Sequence, residues 1–400
     1  MRASTTPSAF HRALFGLVAR LLYERVSVRQ ADRIAGAGPT LFLGLHRNGA
    51  VDGVIYLHVA PRAAYLLSAQ LHRSALGRWL LPGIAVSRRK DRQRGIEAAN
   101  EDAIDRCAAQ LLAGGQVFVM PEGTSSLGPR HLPFKQGFAQ IVQRVQRAGS
   151  AMRIVPLAIH YECAWEWQSR VEIDVGEPLE WGPGDDCEAD AIMRRATAAL
   201  EAVGVNVASE EELRFIEMLA YAATLGTDLS YGQCLKRFEG GVPPELLAAT
   251  EDLQRRAACA GAWTHQGVPL VPIRGAWGYA VLWLLLAPVV AAFLLANAPP
   301  LLAGYVAGRV LPDDRNVIAF WRGVVGVPCA FAWLVCAGGL LVWLGGAALA
   351  SAYLLLSVLG LRLVYRFRKL TVTLHNLIFA PGLRQPLVEF HRNLLTHFRP

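Results

Sequence analysis

The chain has 400 residues, with 40 Lys and Arg against 32 Asp and Glu and a net charge of +8; that is length for roughly two to three domains, and the charge favours anionic partners such as phosphorylated metabolites, acidic lipid headgroups or nucleic acid. Hydrophobic residues make up 53%, above the roughly 45–50% of soluble domains, and the excess lies mostly after residue 270. The seven cysteines are odd in number and scattered without CxxC spacing, which argues for reduced thiols and against a disulfide framework or a metal site.

In chain order, the apolar stretch Ala13–Leu22 is interrupted by Arg20 and has no small-residue cleavage pattern after it, so a signal peptide is not expected. Phe10, Leu14, Leu17 and Leu21 recur at helical spacing instead. They predict a helix that either packs on the domain or lies in a membrane interface. Residues 8–180 then alternate between patterns. Short apolar runs predict strands at Thr40–Leu45, Ala63–Leu67, Gln116–Met120, Ile154–Ile159 and Val171–Val175, with another short strand after Gly83. Helical patterns cover Gly95–Leu112 and Phe138–Ala148. This alternation predicts an α/β domain over residues 1–182, a mixed, mostly buried sheet flanked by helices.

Residues 183–270 predict a helical linker domain. Ser209 with Glu212, and Ser230 with Gln233, have capping-box spacing, and Pro243–Pro244 starts a further helix. Residues 275–308 and 323–361 contain no charged side chain, and a bilayer core needs about 20 apolar residues per helix. The first run is broken at Pro299–Pro300 and the second at Gly345–Gly346. Arg274, then Arg309, Arg315 and Arg322, then Arg362, Arg366, Arg368 and Lys369 flank them. If all three basic groups stay cytoplasmic, residues 271–369 form two membrane hairpins, with 370–400 as a cytoplasmic basic tail. Three full spans are the alternative.

Four blocks carry chemistry. In "GLHRNGAVDGV", His46 follows an apolar strand, and functional groups gather at the carboxyl ends of strands in α/β sheets. Asp52 falls in the first turn of the next helix, from which a carboxylate can reach back to an imidazole. Gly49 between them can take a positive φ. Such a pair suits proton abstraction from a hydroxyl; a loop histidine beside a helix-start carboxylate is the other reading. In "VFVMPEGTSSLGPRHLPFKQG", Glu122, Gly123 and Thr124 follow a strand, where backbone N–H groups can bind an anion, and Arg130 and Lys135 follow; a plain strand–turn with a solvated basic loop is the other reading. In "GIAVSRRKDRQRG", Arg88 opens a basic run that is either a solvated face or a phosphate-binding fork beside anionic lipid. In "IVPLAIHY", Pro156 inside an apolar strand suggests a sheet edge or a shaped bend. There is no GxSxG elbow, P-loop, dinucleotide fingerprint or HExxH. Nucleic acid fits poorly, because no aromatic residues interleave with the Arg cluster.

Taken in order over roughly residues 10–180, the four blocks resemble the glycerolipid acyltransferase family, typified by 1-acylglycerol-3-phosphate and glycerol-3-phosphate O-acyltransferases. The resemblance implies that His46 is the general base on an acceptor hydroxyl and Asp52 its orienter. The hydroxyl would attack an acyl thioester, with acyl-CoA or acyl carrier protein as co-substrate and no other cofactor or metal. Arg88 and the Glu122–Gly123–Thr124 turn would hold the acceptor phosphate, with Glu122 also organising the site, and Pro156 would shape the pocket. The implied protein is a multi-pass cell-membrane enzyme of phospholipid synthesis with a cytoplasmic catalytic domain. Two departures bear on the acceptor. Five residues (Arg47 to Val51) separate His46 from Asp52 where four are usual, which resembles the branch containing yeast-type glycerol-3-phosphate/dihydroxyacetone-phosphate acyltransferases. Ser125 replaces the arginine of the E-G-T-R-S block, and Arg130 is the expected substitute contact. Lysophosphatidate, glycerol-3-phosphate, dihydroxyacetone phosphate and a lyso-aminolipid stay open as acceptors, as does a non-catalytic lipid-binding scaffold.

Overall fold

The computed structural model describes residues 5–36, 38–87, 100–272 and 276–398. Arg88 and the basic run after it lie outside these residues, so their expected role is not located. The chain divides into two compact units. One comprises residues up to 20, 26–160 and 171–206, and the other residues 21–25, 161–170 and 207–400.

The first unit is built on a mixed sheet. Helix α1 (Ala9–Leu22) leads to β1 (Tyr23–Arg29), β2 (Thr40–Gly44) and helix α2 (Ala50–Tyr56). Strand β3 (Ala64–Ser68), helix α3 (Ala75–Leu80), β4 (Ile84–Val86), helix α4 (Asn100–Leu112) and β5 (Gln116–Val119) follow. Helix α5 (Gly137–Arg147), β6 (Met152–Tyr161), β7 (Ser169–Val175), β8 (Leu179–Trp181) and helix α6 (Ala189–Val203) complete it. The strand order is β1-β7-β6-β2-β5-β3-β4, with β8 also on β6. Strands β6, β2, β5, β3 and β4 run parallel, and β8 is antiparallel to β6.

The reason β2 sits inside the sheet is in its sequence. All five residues of "TLFLG" are buried, the near-continuous apolar run that a strand covered on both faces requires. Leu41, Leu43 and Leu45 pack with Phe138, Ile141, Val142 and Val145 of α5, whose spacing puts one apolar stripe on the sheet. Each such side chain contributes roughly 1.5–3 kcal/mol on full burial. Helix α6 adds Ile192, Ala196 and Leu200 to the same core, so it goes with the sheet and not with the helices that follow. Strand β6 lies between β7 and β2. Pro156 is therefore interior, not at an edge; its ring lies over Gly176, where a Cβ would stand 2.8 Å from it, and its carbonyl accepts from Gly176 N–H. In α1 the buried stripe is Phe15, Ala19 and Leu22, while Phe10 and Leu17 of the expected stripe are exposed. Phe10 stacks near Trp79 of α3, and His11 Nε2 bonds the Trp79 carbonyl at 2.8 Å.

The second unit is helical: α7 (Glu210–Thr224), α8 (Tyr231–Phe238) and α9 (Pro244–Cys259) come first. Ser209 and Ser230 cap α7 and α8 by accepting from the N–H groups of Glu212 and Gln233, both at 3.1 Å. Then come α10 (Ala276–Ala296), α11 (Ala298–Val310), α12 (Ile318–Phe379) and α13 (Arg384–Thr396). Helix α12 is broken at Gly345 and Gly346, where Gly346 takes φ 75°. Its two halves pack on different partners. Gly326 meets Gly304 and Arg322 meets Gly308 of α11, whereas Gly360 meets Phe293 and Phe367 stacks on Trp283 of α10. At the α10–α11 bend, prolines at 299 and 300 cannot donate back into the helix, and Trp333 Nε1 donates to the Ala296 carbonyl at 2.9 Å. Asn297 is buried there with Tyr353 and Ser357, at 3.0 and 3.2 Å. Within the expected tail, residues 370–379 and 384–396 are helical, with Phe390 and Leu394 buried.

Candidate active site

Strand β2 delivers the chain to the site. Its ladder continues one residue beyond Gly44, where Leu45 N–H bonds the Leu157 carbonyl at 2.9 Å, and His46 comes next. Below this point Tyr56 of α2 is fully buried and donates its hydroxyl to the Leu45 carbonyl at 2.9 Å. Only glycine fits at position 44: a Cβ there would stand 2.4 Å from the Phe118 ring and 3.0 Å from Tyr56. Gly49 then takes φ 54°, ψ −145°, a region closed to residues with a Cβ, and this turn starts α2 close enough for Asp52 to face back toward β2.

The Asp52 side chain is fully buried. Its Oδ2 accepts from His46 Nδ1 at 2.8 Å, Arg47 N–H at 2.6 Å and Asn48 N–H at 2.7 Å. Three donors on one oxygen satisfy this buried acceptor without solvent. An ionised carboxylate only accepts, so the proton of a neutral His46 sits on Nδ1, and Nε2 carries the lone pair. The His46 side chain is 13% exposed. The pair thus has the parts of a general base: an oriented imidazole, a fixed tautomer, and a buried negative charge ready to stabilise imidazolium.

Glu122 completes the frame. It is 1% exposed, and its Oε2 accepts from His46 N–H at 2.5 Å while Oε1 accepts from Leu132 N–H at 3.1 Å. Burial pushes its carboxyl above the ordinary range, opposed by those two backbone donors. Ser126 N–H in turn donates to the His46 carbonyl at 3.0 Å. Both backbone polar groups of His46 are therefore held by the 122–126 loop. That loop turns at Gly123, with φ 71° and its N–H on the Met120 carbonyl. The Arg47 guanidinium adds a bond to the Gly128 carbonyl at 3.0 Å.

The structure brings together His46, Asp52, Glu122 and Gly123, with Thr124 next in the same turn. Both Glu122 oxygens face backbone donors, so its visible task is to organise the histidine loop. Lys135 is exposed and lays its stem near Gly123, and Arg130 is exposed further along the loop. Pro156 pairs with Leu43 in the ladder, three residues before His46. Sequence reasoning missed Tyr56 and Arg47. Arg47 adjoins the candidate histidine, but nothing local to Tyr56 signals that its hydroxyl supports the strand end.

Residues 25–160 match the acyltransferase family model, so the chain carries an acyltransferase domain, and the matched residues contain the whole His46, Asp52 and Glu122 constellation. A search of curated proteins gives no match. Among solved structures, the chain is similar to the 1-acyl-sn-glycerophosphate (LPA) acyltransferase PlsC from Thermotoga maritima. That match has 16% identity and a TM-score of 0.36, and covers 48% of this chain and 78% of that one.

Proposed function

We propose that this enzyme is a membrane-bound O-acyltransferase that moves a fatty acyl group from a thioester to the hydroxyl of a phosphorylated glycerol acceptor. The observation that carries the reading is Asp52 Oδ2 holding His46 Nδ1 at 2.8 Å inside the acyltransferase domain. In the proposed reaction His46 Nε2 takes the acceptor's hydroxyl proton as the oxygen bonds the thioester carbon. Asp52 stabilises the imidazolium as it forms. The tetrahedral intermediate then collapses, the C–S bond breaks, and the departing thiolate takes the proton back from His46. Glu122 keeps the His46 backbone from moving as its ring gains and loses charge. Arg88 and the Gly123–Thr124 turn are the proposed acceptor-phosphate contacts, with the donor either acyl-CoA or acyl carrier protein.

Membrane residence is supported by two helices long and apolar enough to cross a bilayer. The mean hydropathy of the most apolar window is 2.4 within Trp277–Ala296 and 2.1 within Arg315–Phe379. Only 11% and 6% of their most apolar windows are buried, and Trp277, Leu285, Leu295, Phe331 and Trp343 stand exposed. Helices that formed a soluble core would hide these side chains.

Incubating the purified enzyme with labelled acyl-CoA and a panel of lysophosphatidate, glycerol-3-phosphate, dihydroxyacetone phosphate and a lyso-aminolipid tests the reading. Transfer to one phosphorylated acceptor supports it. A lipid-binding scaffold predicts transfer to none.

A further inference from the structure

Residues 120–136 join β5 to α5 without a helix or strand, so this loop takes its shape from the partners of its backbone groups. Its first half is held at the site through Glu122, Ser126 and Gly128. Its second half returns there twice: Leu132 N–H donates to Glu122 Oε1 at 3.1 Å, and Lys135 N–H donates to the Pro121 carbonyl at 2.7 Å. Next to the first of these returns, an anchor reaches in from far along the chain. His131 N–H donates to Asn206 Oδ1 at 2.8 Å, across 75 residues.

Asn206 is half-buried and follows shortly after the end of α6. Gly204, between them, brings the chain against the site. Its φ of −80° is open to any residue, so contact is what requires the glycine. A Cβ there would overlap the His131 ring and stand 2.6 Å from Leu45 Cδ1. Leu45 is buried and precedes His46. Residues 204–206 therefore touch both arms of the site: the strand end that leads into His46, and the loop residue beside Leu132. From Leu132 the bonds run on through Glu122 to His46 N–H. All of these residues lie in the same compact unit.

We propose that Asn206 is a positioning residue for acyl transfer: by fixing residue 131 it keeps Leu132 on Glu122, and so keeps the His46 backbone in place. Gly204 gives it the close approach this needs. The assignment rests on the reading of His46 as the base, and it adds a segment that contributes no atom to the reaction. One neutral hydrogen bond contributes little to stability, whereas a shift of about 1 Å in a catalytic group lowers turnover by up to about a hundredfold. The mark of positioning is therefore a turnover loss out of proportion to any change in melting.

The test uses the full chain purified in detergent, with steady-state acyl transfer and amide hydrogen exchange read on the same preparations. Asn206→Ala should lower kcat roughly tenfold with the melting curve nearly preserved. Asn206→Asp, which keeps an acceptor oxygen in place, should recover most of that loss. In a Glu122→Gln background, Asn206→Ala should lower kcat by less than about twofold further, because its effect passes through Glu122. Peptides covering residues 128–133 should exchange roughly fivefold faster in Asn206→Ala, the opening expected from one lost neutral hydrogen bond. A folded Asn206→Ala protein with wild-type kcat overturns the proposal, whatever its exchange. Equal losses in the Ala and Asp variants overturn the acceptor role, and a full tenfold loss on top of Glu122→Gln overturns the route through Glu122. If His46→Ala keeps near-normal turnover, the base reading falls instead. Exchange at 128–133 then judges the Asn206 anchor by itself: unchanged exchange in Asn206→Ala removes it as well, and faster exchange upholds it.

Discussion

Replacing Asp52 by Asn removes one charge and leaves the shape, so its effects separate what the carboxylate does from where it sits. Oδ2 accepts three hydrogen bonds, from His46 Nδ1, Arg47 N–H and Asn48 N–H. Bonds to an ionised acceptor contribute about 1.5–3 kcal/mol each, against about 1 kcal/mol for neutral ones. If the amide oxygen takes the Oδ2 position, all three survive in weakened form, and the fold should lose roughly 1.5–6 kcal/mol. The catalytic loss should be larger, since a neutral amide cannot stabilise imidazolium and no longer dictates which ring nitrogen holds the proton. By analogy with other carboxylate–histidine pairs, kcat should fall by roughly 10²–10⁴. The assay is acyl transfer by purified Asp52→Asn at saturating acceptor, alongside a thermal melt in the same detergent. A folded variant with kcat within threefold of wild type would refute the reasoning.

Glu122→Gln should satisfy only one of the two N–H groups that Glu122 now serves, costing about 1–3 kcal/mol less the relief of a buried charge. Its activity loss should appear in kcat at unchanged acceptor affinity, measured by steady-state kinetics. Gly49→Ala should cost roughly 1–3 kcal/mol of backbone strain and reduce turnover by moving Asp52, which a melting curve and the same kinetics check. His265 is buried with neither ring nitrogen bonded among the described residues, and desolvation lowers its pKa from 6.5 to about 4. The unfolded chain therefore binds its proton first. Stability should fall as pH drops from about 6.5 toward 4, by at most roughly 3 kcal/mol, and His265→Phe should flatten that part of the pH–stability curve. The chain should also stay with the membrane pellet through an alkaline carbonate wash; release into the supernatant would contradict the bilayer reading of α10 and α12.

Much of the catalytic unit is legible in the sequence because its strands are covered on both faces. Runs such as "TLFLG" and "QVFV" announce themselves, and the His46–Asp52 link follows from a strand end, a glycine and one helical turn. Strand β1, "YERVSVR", was not legible, since it carries charge and is only partly buried. In α1 two overlapping stripes are apolar, and tertiary packing chose Phe15, Ala19 and Leu22. The clamp of Glu122 on His46 spans 76 residues and exists because β2 and β5 are parallel neighbours; no local pattern encodes it. The same holds for the basic residues after 361. Expected only to flank a membrane run, they also meet Glu24, Glu162 and Glu166, acids far away in the chain.

The central claim is that His46 is the base. It is tested most directly by assaying purified, folded His46→Ala with labelled acyl-CoA and the acceptor on which the wild type is most active. A fall in turnover of several orders of magnitude, with the melting curve preserved, is the predicted result. Near-normal transfer by that protein would contradict the account.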